Sequence, residues 1–280
     1  MTPRRGFVLA ELLVALVIAA VIGMALTQLV ISQSRFVALQ GGIMQARGGA
    51  RAALNVLSND LRMVSDGGLV AATTESVTVR VPYAFGVVCG QSGGATIVSL
   101  LPADSAAYAT ASISGYAWRD TTTAYVFTEP ATVANADVPL TNCTGATPPI
   151  TTLTSTSWAA RAVALAPNDI RTATGTVVYL YQLVRYAFAP SSQLPGRVGL
   201  WRTVLASGQR DELVAPFDST AGFQFLVGTG LNYLTAPPSD LTTVRGLRLL
   251  LVASSEQPPE GRTRPTIFTI TTNVLFQNHP

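Results

Sequence analysis

Gly90, Gln91, Ser92, Gly93 and Gly94 match G-x-S-x-G, the pattern that exposes a nucleophilic serine on a sharp turn between a strand and a helix. That chemistry needs a base and an acid downstream. The chain holds one histidine, His279 beside the C-terminus, and Gly94 leads into the strand-like run ATIVSLL rather than a helix. A glycine-rich loop next to Cys89 is the better account. The closest acid pairs are Asp211 with Glu212 and Asp60 with Asp66, and neither has the oxygen-ligand spacing of a calcium loop. Neighbours on a strand point to opposite faces, so Asp211 and Glu212 read as a solvated loop. Asp60 and Arg62 lie off the stripe that carries Leu57 and Leu61 and read as solvated too. All 18 basic residues are arginine, which excludes Schiff-base lysines and Walker-type phosphate loops. Two cysteines and one histidine are too few for a structural zinc site. No catalytic residue, metal or cofactor follows from these patterns.

The remaining ionisable residue of interest is Glu11. It is the one charge in an apolar run from Phe7 to Ile31. As a helix that run is about 37 Å long, enough to cross a hydrocarbon core of about 30 Å. Arg4 and Arg5 precede it and Arg35 is the next charge after Glu11, so the positive-inside bias puts the N-terminus in the cytoplasm and the rest outside. An intramembrane carboxylate is costly and calls for a partner. Cleavage after Gly6 would supply one, because the new ammonium on Phe7 would stand one helical turn from Glu11.

Gly6, Phe7 and Glu11, within RRGFVLAELLVAL, resemble the leader of type IV prepilins, found in pilins and in the pseudopilins of type II secretion systems. The resemblance implies cleavage after Gly6 by a prepilin peptidase, N-methylation of Phe7, and a role for Glu11 in filament assembly. A Sec signal peptide, with Gly23, Met24 and Ala25 as its small-residue site, is interrupted by Glu11. A plain single-pass anchor needs neither Gly6 nor Glu11.

Removing the leader leaves 18 − 2 = 16 arginines against 15 acids, so the mature chain has no basic footprint for nucleic acid. Cys89 and Cys143 both fall outside the cytoplasm on this topology, where disulfides persist. Their pairing would close 143 − 89 = 54 residues and stabilise by roughly 4 kcal/mol on the chain-entropy model.

The apolar run passes without proline into Phe36, Leu39, Ile43, Ala46, Ala50, Leu54, Leu57, Leu61 and Val64, at steps of three and four. The spacing predicts that the helix continues as an amphipathic rod packed on the downstream domain, ending at Asp66, Gly67 and Gly68. Gly41, Gly42, Gly48 and Gly49 lie inside it, each about 1 kcal/mol poorer than alanine. They mark a segment that either bends on assembly or is tolerated by packing. From Glu75 the pattern changes to short runs rich in Val, Thr and aromatic residues: ESVTVRV, ATIVSLL, GYAWR, TAYVFT, TVVYLYQLVRYAFA, GLWRTVLA, AGFQFLV, VRGLRLLLVA and TIFTITTNVLF. Residues 103 to 174 read as strands with long loops.

The order YLYQLVRY, GLWRTV, LVAPFDSTAGFQFLV, VRGLRLLLV and TITTNVLFQN, with LNVLSNDLR at the helix end, is similar to the W-type minor pilins and the related J-type pseudopilins. Residues 83 to 173 carry no such likeness, and Gln277 and Asn278 stand where that family more often has Arg-Asn.

The expected fold is therefore α+β, a long N-terminal helix laid on a mainly antiparallel sheet as in pilins. The expected division is 1–6 leader, 7–31 membrane and filament-core helix, 32–66 amphipathic continuation, and 67–280 a β-rich periplasmic domain. The resemblance implies a minor pilin that primes pilus assembly or sits at the tip. The alternatives are a J-type pseudopilin and, from another class, a membrane-tethered periplasmic enzyme or binding protein. Implied partners are other pilins through the N-terminal helix, the peptidase and methylase, the inner-membrane assembly platform, and the membrane before assembly, with nucleic acid disfavoured.

Overall fold

The structure is a computed structural model that describes residues 9–100, 104–120, 124–138, 162–169, 173–228, 230, 232–260 and 262–276. One helix, α1 (Leu9–Met63), runs unbroken for 55 residues. After it the chain turns through Gly67, whose φ of 70° suits glycine, and enters the sheet.

The strands in chain order are β1 (Leu69–Ala72), β2 (Ser76–Ser92), β3 (Ala95–Leu100), β4 (Gly115–Arg119), β5 (Tyr125–Thr128), β6 (Thr132–Val138) and β7 (Ala162–Ala166). They continue as β8 (Val177–Pro190), β9 (Val198–Val204), β10 (Arg210–Phe217), β11 (Gly222–Val227), β12 (Tyr233–Leu234), β13 (Val244–Ser254) and β14 (Ile267–Leu275). A short helix, α2 (Asp104–Thr110), follows β3. The sheet order is β12-β11-β13-β10-β9-β8-β2-β3-β7-β6, with β1 beside β2, β14 beside β13, and β4 between β8 and β5. All these pairings are antiparallel. The α+β layout expected from the sequence is present.

Two long strands organise the domain. β2 and β8 pair from Ser76↔Ala187 to Val87↔Val177, and the register slips between Pro82 and Ala84. Proline has no N–H to give a ladder, so a bulge beside Pro82 is where such a strand bends. At the same level β8 changes its other neighbour, from β4 at Val178 to Tyr181 to β9 at Val184 to Pro190. The ladder is thereby shared between two cores. In the first, Ala46, Leu57 and Leu61 of α1 pack with Val77, Val79, Val184, Tyr186, Phe223 and Leu249. In the second, Ala84, Val98, Leu100, Tyr116, Trp118, Val163 and Leu180 pack together without α1.

Three expectations need correction. The apolar spacing starts the packed stripe at Phe36, but that residue is 60% exposed and full burial starts at Ala46; periodicity does not reveal where the partner sheet ends. Asp211 and Glu212, expected in a loop, lie in β10, opposite Arg202 and Trp201 of β9. Glu212 keeps its charge solvated in effect by accepting from the Ser192 N–H at 2.9 Å and hydroxyl at 2.6 Å. Residues 104–110 form α2, within a region whose sequence shows no helical period.

Candidate membrane-anchoring and assembly segment

The first half of α1 carries the surface most in need of an environment other than water. Leu12, Val17, Ile22, Leu29 and Val37 are each more than half exposed, at 60, 51, 53, 52 and 67%. The segment is long and apolar enough to cross a membrane. Two of its hydroxyls turn back on the helix, Thr27 donating to the Gly23 carbonyl at 2.8 Å and Ser32 to the Leu29 carbonyl at 2.8 Å, while Ser34 donates to Glu260 at 3.3 Å. A hydroxyl satisfied by its own backbone costs little in an apolar medium. Glu11 stands at the start of this surface and is exposed. Gly6 and Phe7, the expected cleavage and methylation residues, lie outside the described residues, as do Gln277, Asn278 and His279.

The second half is fastened to the sheet by polar anchors as well as by the core. Tyr186 of β8, wholly buried, donates its phenol to the Asp60 carboxylate, and Arg202 of β9 reaches both, 3.3 Å from the Tyr186 oxygen and 3.7 Å from Asp60. Asp60 is therefore held by the sheet rather than simply solvated. Burial first, and then the Asp60 charge, push the Tyr186 phenol above its ordinary value, so it remains a donor. Just past the helix, Ser65 hydrogen-bonds Tyr179. At the lower end, Gly42 packs closely against Ser255 and Thr266, the Gln45 amide oxygen accepts from the Glu256 N–H at 3.2 Å, and Arg47 lies 5.0 Å over the Phe268 ring.

A second cluster joins β2 and β8 to the end of β5 and to the turn after α1. Arg80 of β2 pairs with Glu129, just beyond β5, at 2.9 Å, and donates to the Gly67 carbonyl at 2.8 Å. Tyr181 donates to the same Glu129 oxygen at 2.8 Å, and the Arg80 guanidinium sits 4.2 Å over Phe127. Burial works against the Glu129 charge, but the bonds from Arg80 and Tyr181 and the Arg80 charge outweigh it and hold the carboxyl below its usual range. For Arg80 burial is likewise outweighed by Glu129, leaving the guanidinium above its ordinary value. A groove of about 420 Å³ beside Glu129 is walled mainly by Ile113, Pro130, Leu183 and Leu205.

The G-x-S-x-G residues form the turn of a hairpin, with Ser92 paired to Ala95 and Gly93 and Gly94 at φ of 59° and 79°. Two successive positive φ values are what a tight hairpin turn demands. The strand-turn-helix setting of a nucleophile elbow is replaced by strand-turn-strand. Cys89, in the same strand, is disulfide-bonded; Cys143 lies outside the described residues. The anchors Tyr186, Arg202, Arg80 and Glu129 were not singled out from the sequence. Tyr186, Arg202 and Arg80 are marked only by their position within strand-like runs and Glu129 not even by that, and neither identifies a partner 49 residues away, as for Arg80 and Glu129, or 126, as for Tyr186 and Asp60.

The class these features define is an α+β chain with one long helix, half bare and apolar, half packed on an antiparallel sheet. Comparison with protein-family models, curated proteins and solved structures yields no match.

Proposed function

We propose that this chain is a minor pilin of the W type, anchored by α1 in the inner membrane with its sheet domain outside the cytoplasm, and taken from there into a type IV pilus as a priming or tip subunit. The observation that carries the reading is the division of α1. Its apolar first half is exposed, while its second half is fixed to the sheet by core packing and by the Asp60–Tyr186–Arg202 cluster. A helix that can leave the membrane and pack among other helices without its domain detaching needs this arrangement. The leader residues Gly6, Phe7 and Glu11 support the same reading by resemblance.

In this reading cleavage follows Gly6, Phe7 becomes the methylated N-terminus, and the Glu11 carboxylate meets the Phe7 ammonium of a neighbouring subunit. Such a pair in a low-dielectric medium is strong over a few ångströms and weak beyond, so it sets axial register. Mass spectrometry of the mature N-terminus tests the reading. Methylated Phe7 is expected, and an N-terminus at Leu26 would instead mark a Sec-type leader. Immunogold labelling of sheared filaments separates the pilus from a type II secretion pseudopilus.

A further inference from the structure

β14 ends the sheet beside α1, and among the described residues it has a strand partner on one side only, β13. Free edges invite further pairing, and proteins ordinarily blunt them with short strands, charges, proline or bulges. The other edges here are blunted. β12 has two residues, β1 and β5 four each, and β6 slips register between Val133 and Asn135 and again before Val138. β14 has none of these devices. It pairs with β13 over nine residues without a slip, from Gly246↔Leu275 to Ser254↔Ile267, and its sequence IFTITTNVL contains no charge and no proline.

Its side chains are sorted for an interface. Phe268 and Ile270 pack toward the α1 core. Ile267 and Leu275, at the two ends of the outward row, are 53% and 50% exposed, with Thr269, Thr271 and Asn273 exposed between them. A straight edge of nine residues spans about 30 Å.

We propose that the outer edge of β14 is a strand-docking site that takes an extended, uncharged segment of another protein, bound through main-chain hydrogen bonds. The edge itself specifies a strand, because its unshared main-chain groups face outward in a row. It specifies a neutral one, because β14 offers no charge to match. Antiparallel pairing with a second copy of this chain does not fit. α1 runs along β14, with Gly42 beside Thr266 and Arg47 over Phe268. Antiparallel β14–β14 pairing would therefore point the two helices in opposite directions. That exclusion rests on the membrane reading of α1, whereas the edge does not.

The test uses the full chain in detergent micelles with a doubly capped Thr-Val-Thr-Val-Thr-Val-Thr peptide, followed by amide hydrogen exchange. Docking slows alternate amides of β14 by at least about tenfold and leaves those of β5 and β6 unchanged. Thr271→Lys, at an exposed position, removes the protection while circular dichroism and melting stay those of the parent, and Thr271→Ser keeps it. Equal slowing at other edges, no slowing in β14, or protection that survives Thr271→Lys would overturn the proposal. A peptide-free dimer with protected β14 amides would overturn the choice of occupant.

Discussion

The Tyr186 phenol donates to the Asp60 carboxylate, joining the sheet to the last turns of α1 across 126 residues of sequence. The bond joins a buried donor to an ionised acceptor, the stronger class of hydrogen bond. It holds the helix at a point where Leu57 and Leu61 are already buried, so it fixes rotation and axial position as much as it adds stability.

Tyr186→Phe removes the donor and keeps the ring. The expected loss is about 2 kcal/mol, the scale for a hydrogen bond to a charged group. Asp60→Ala should cost at least as much, because Arg202 also loses its carboxylate. Urea denaturation of the two single variants and the double variant measures it, and strict additivity would show that the groups act independently.

Packing predicts a contrast along one helix face. Leu57→Ala should destabilise by about 3 kcal/mol through lost burial and a cavity, whereas Phe36→Ala, at an exposed site, should change stability by less than about 0.5 kcal/mol. Thermal melting of the chain in micelles distinguishes them.

The helix glycines divide into two kinds. A Cβ on Gly41 or Gly48 would meet open space, while one on Gly42 would come within 3.3 Å of Thr266 and 3.4 Å of Ser255. Gly41→Ala and Gly48→Ala should therefore each stabilise by about 1 kcal/mol, and Gly42→Ala should gain little or lose. If Gly41→Ala and Gly48→Ala melt higher yet enter filaments less well, bending at this segment is part of assembly.

The lowered Glu129 pKa gives a pH dependence of known sign. The unfolded chain takes up this proton more readily than the folded one, so the stabilisation is present above the ordinary value of 4.5 and is lost as pH falls through the lower folded value. Glu129→Gln should flatten the acid limb of the stability curve below the ordinary value of 4.5 and be less stable than the parent at neutral pH. Denaturant midpoints across that range check it. An unchanged acid limb would mean that the Arg80–Glu129 pair is not kept in solution.

Glu11→Val tests the assembly mechanism. Insertion and cleavage need no charge at this position and should be unaffected, while incorporation into filaments should be lost. Normal incorporation of the variant, seen on immunoblots of sheared filaments, would show that Glu11 does not set register.

The sequence alone determined the elements whose signal is local. The length and apolarity of the N-terminal run, the three-and-four spacing from Ala46 to Leu61, and the β-branched and aromatic runs of β2, β8, β11, β13 and β14 each depend on residues a few positions apart. It determined poorly whatever depended on a distant partner. Asp211 and Glu212 carry no strand signal of their own, yet they are in β10 because β9 supplies a ladder for them, with Arg202 opposite Asp211 and Trp201 opposite Glu212. Asp60 lies off the apolar stripe, yet it is anchored because β8 places a phenol and β9 a guanidinium beside it. Tertiary structure alone decided that β2 runs on past Pro82 to Ser92 and that the β2–β8 ladder serves two cores, with the change of neighbours beside Pro82. The reason is physical: backbone periodicity is written into adjacent residues, whereas a buried charge or a strand edge takes its meaning from the side chain or strand that folding brings against it.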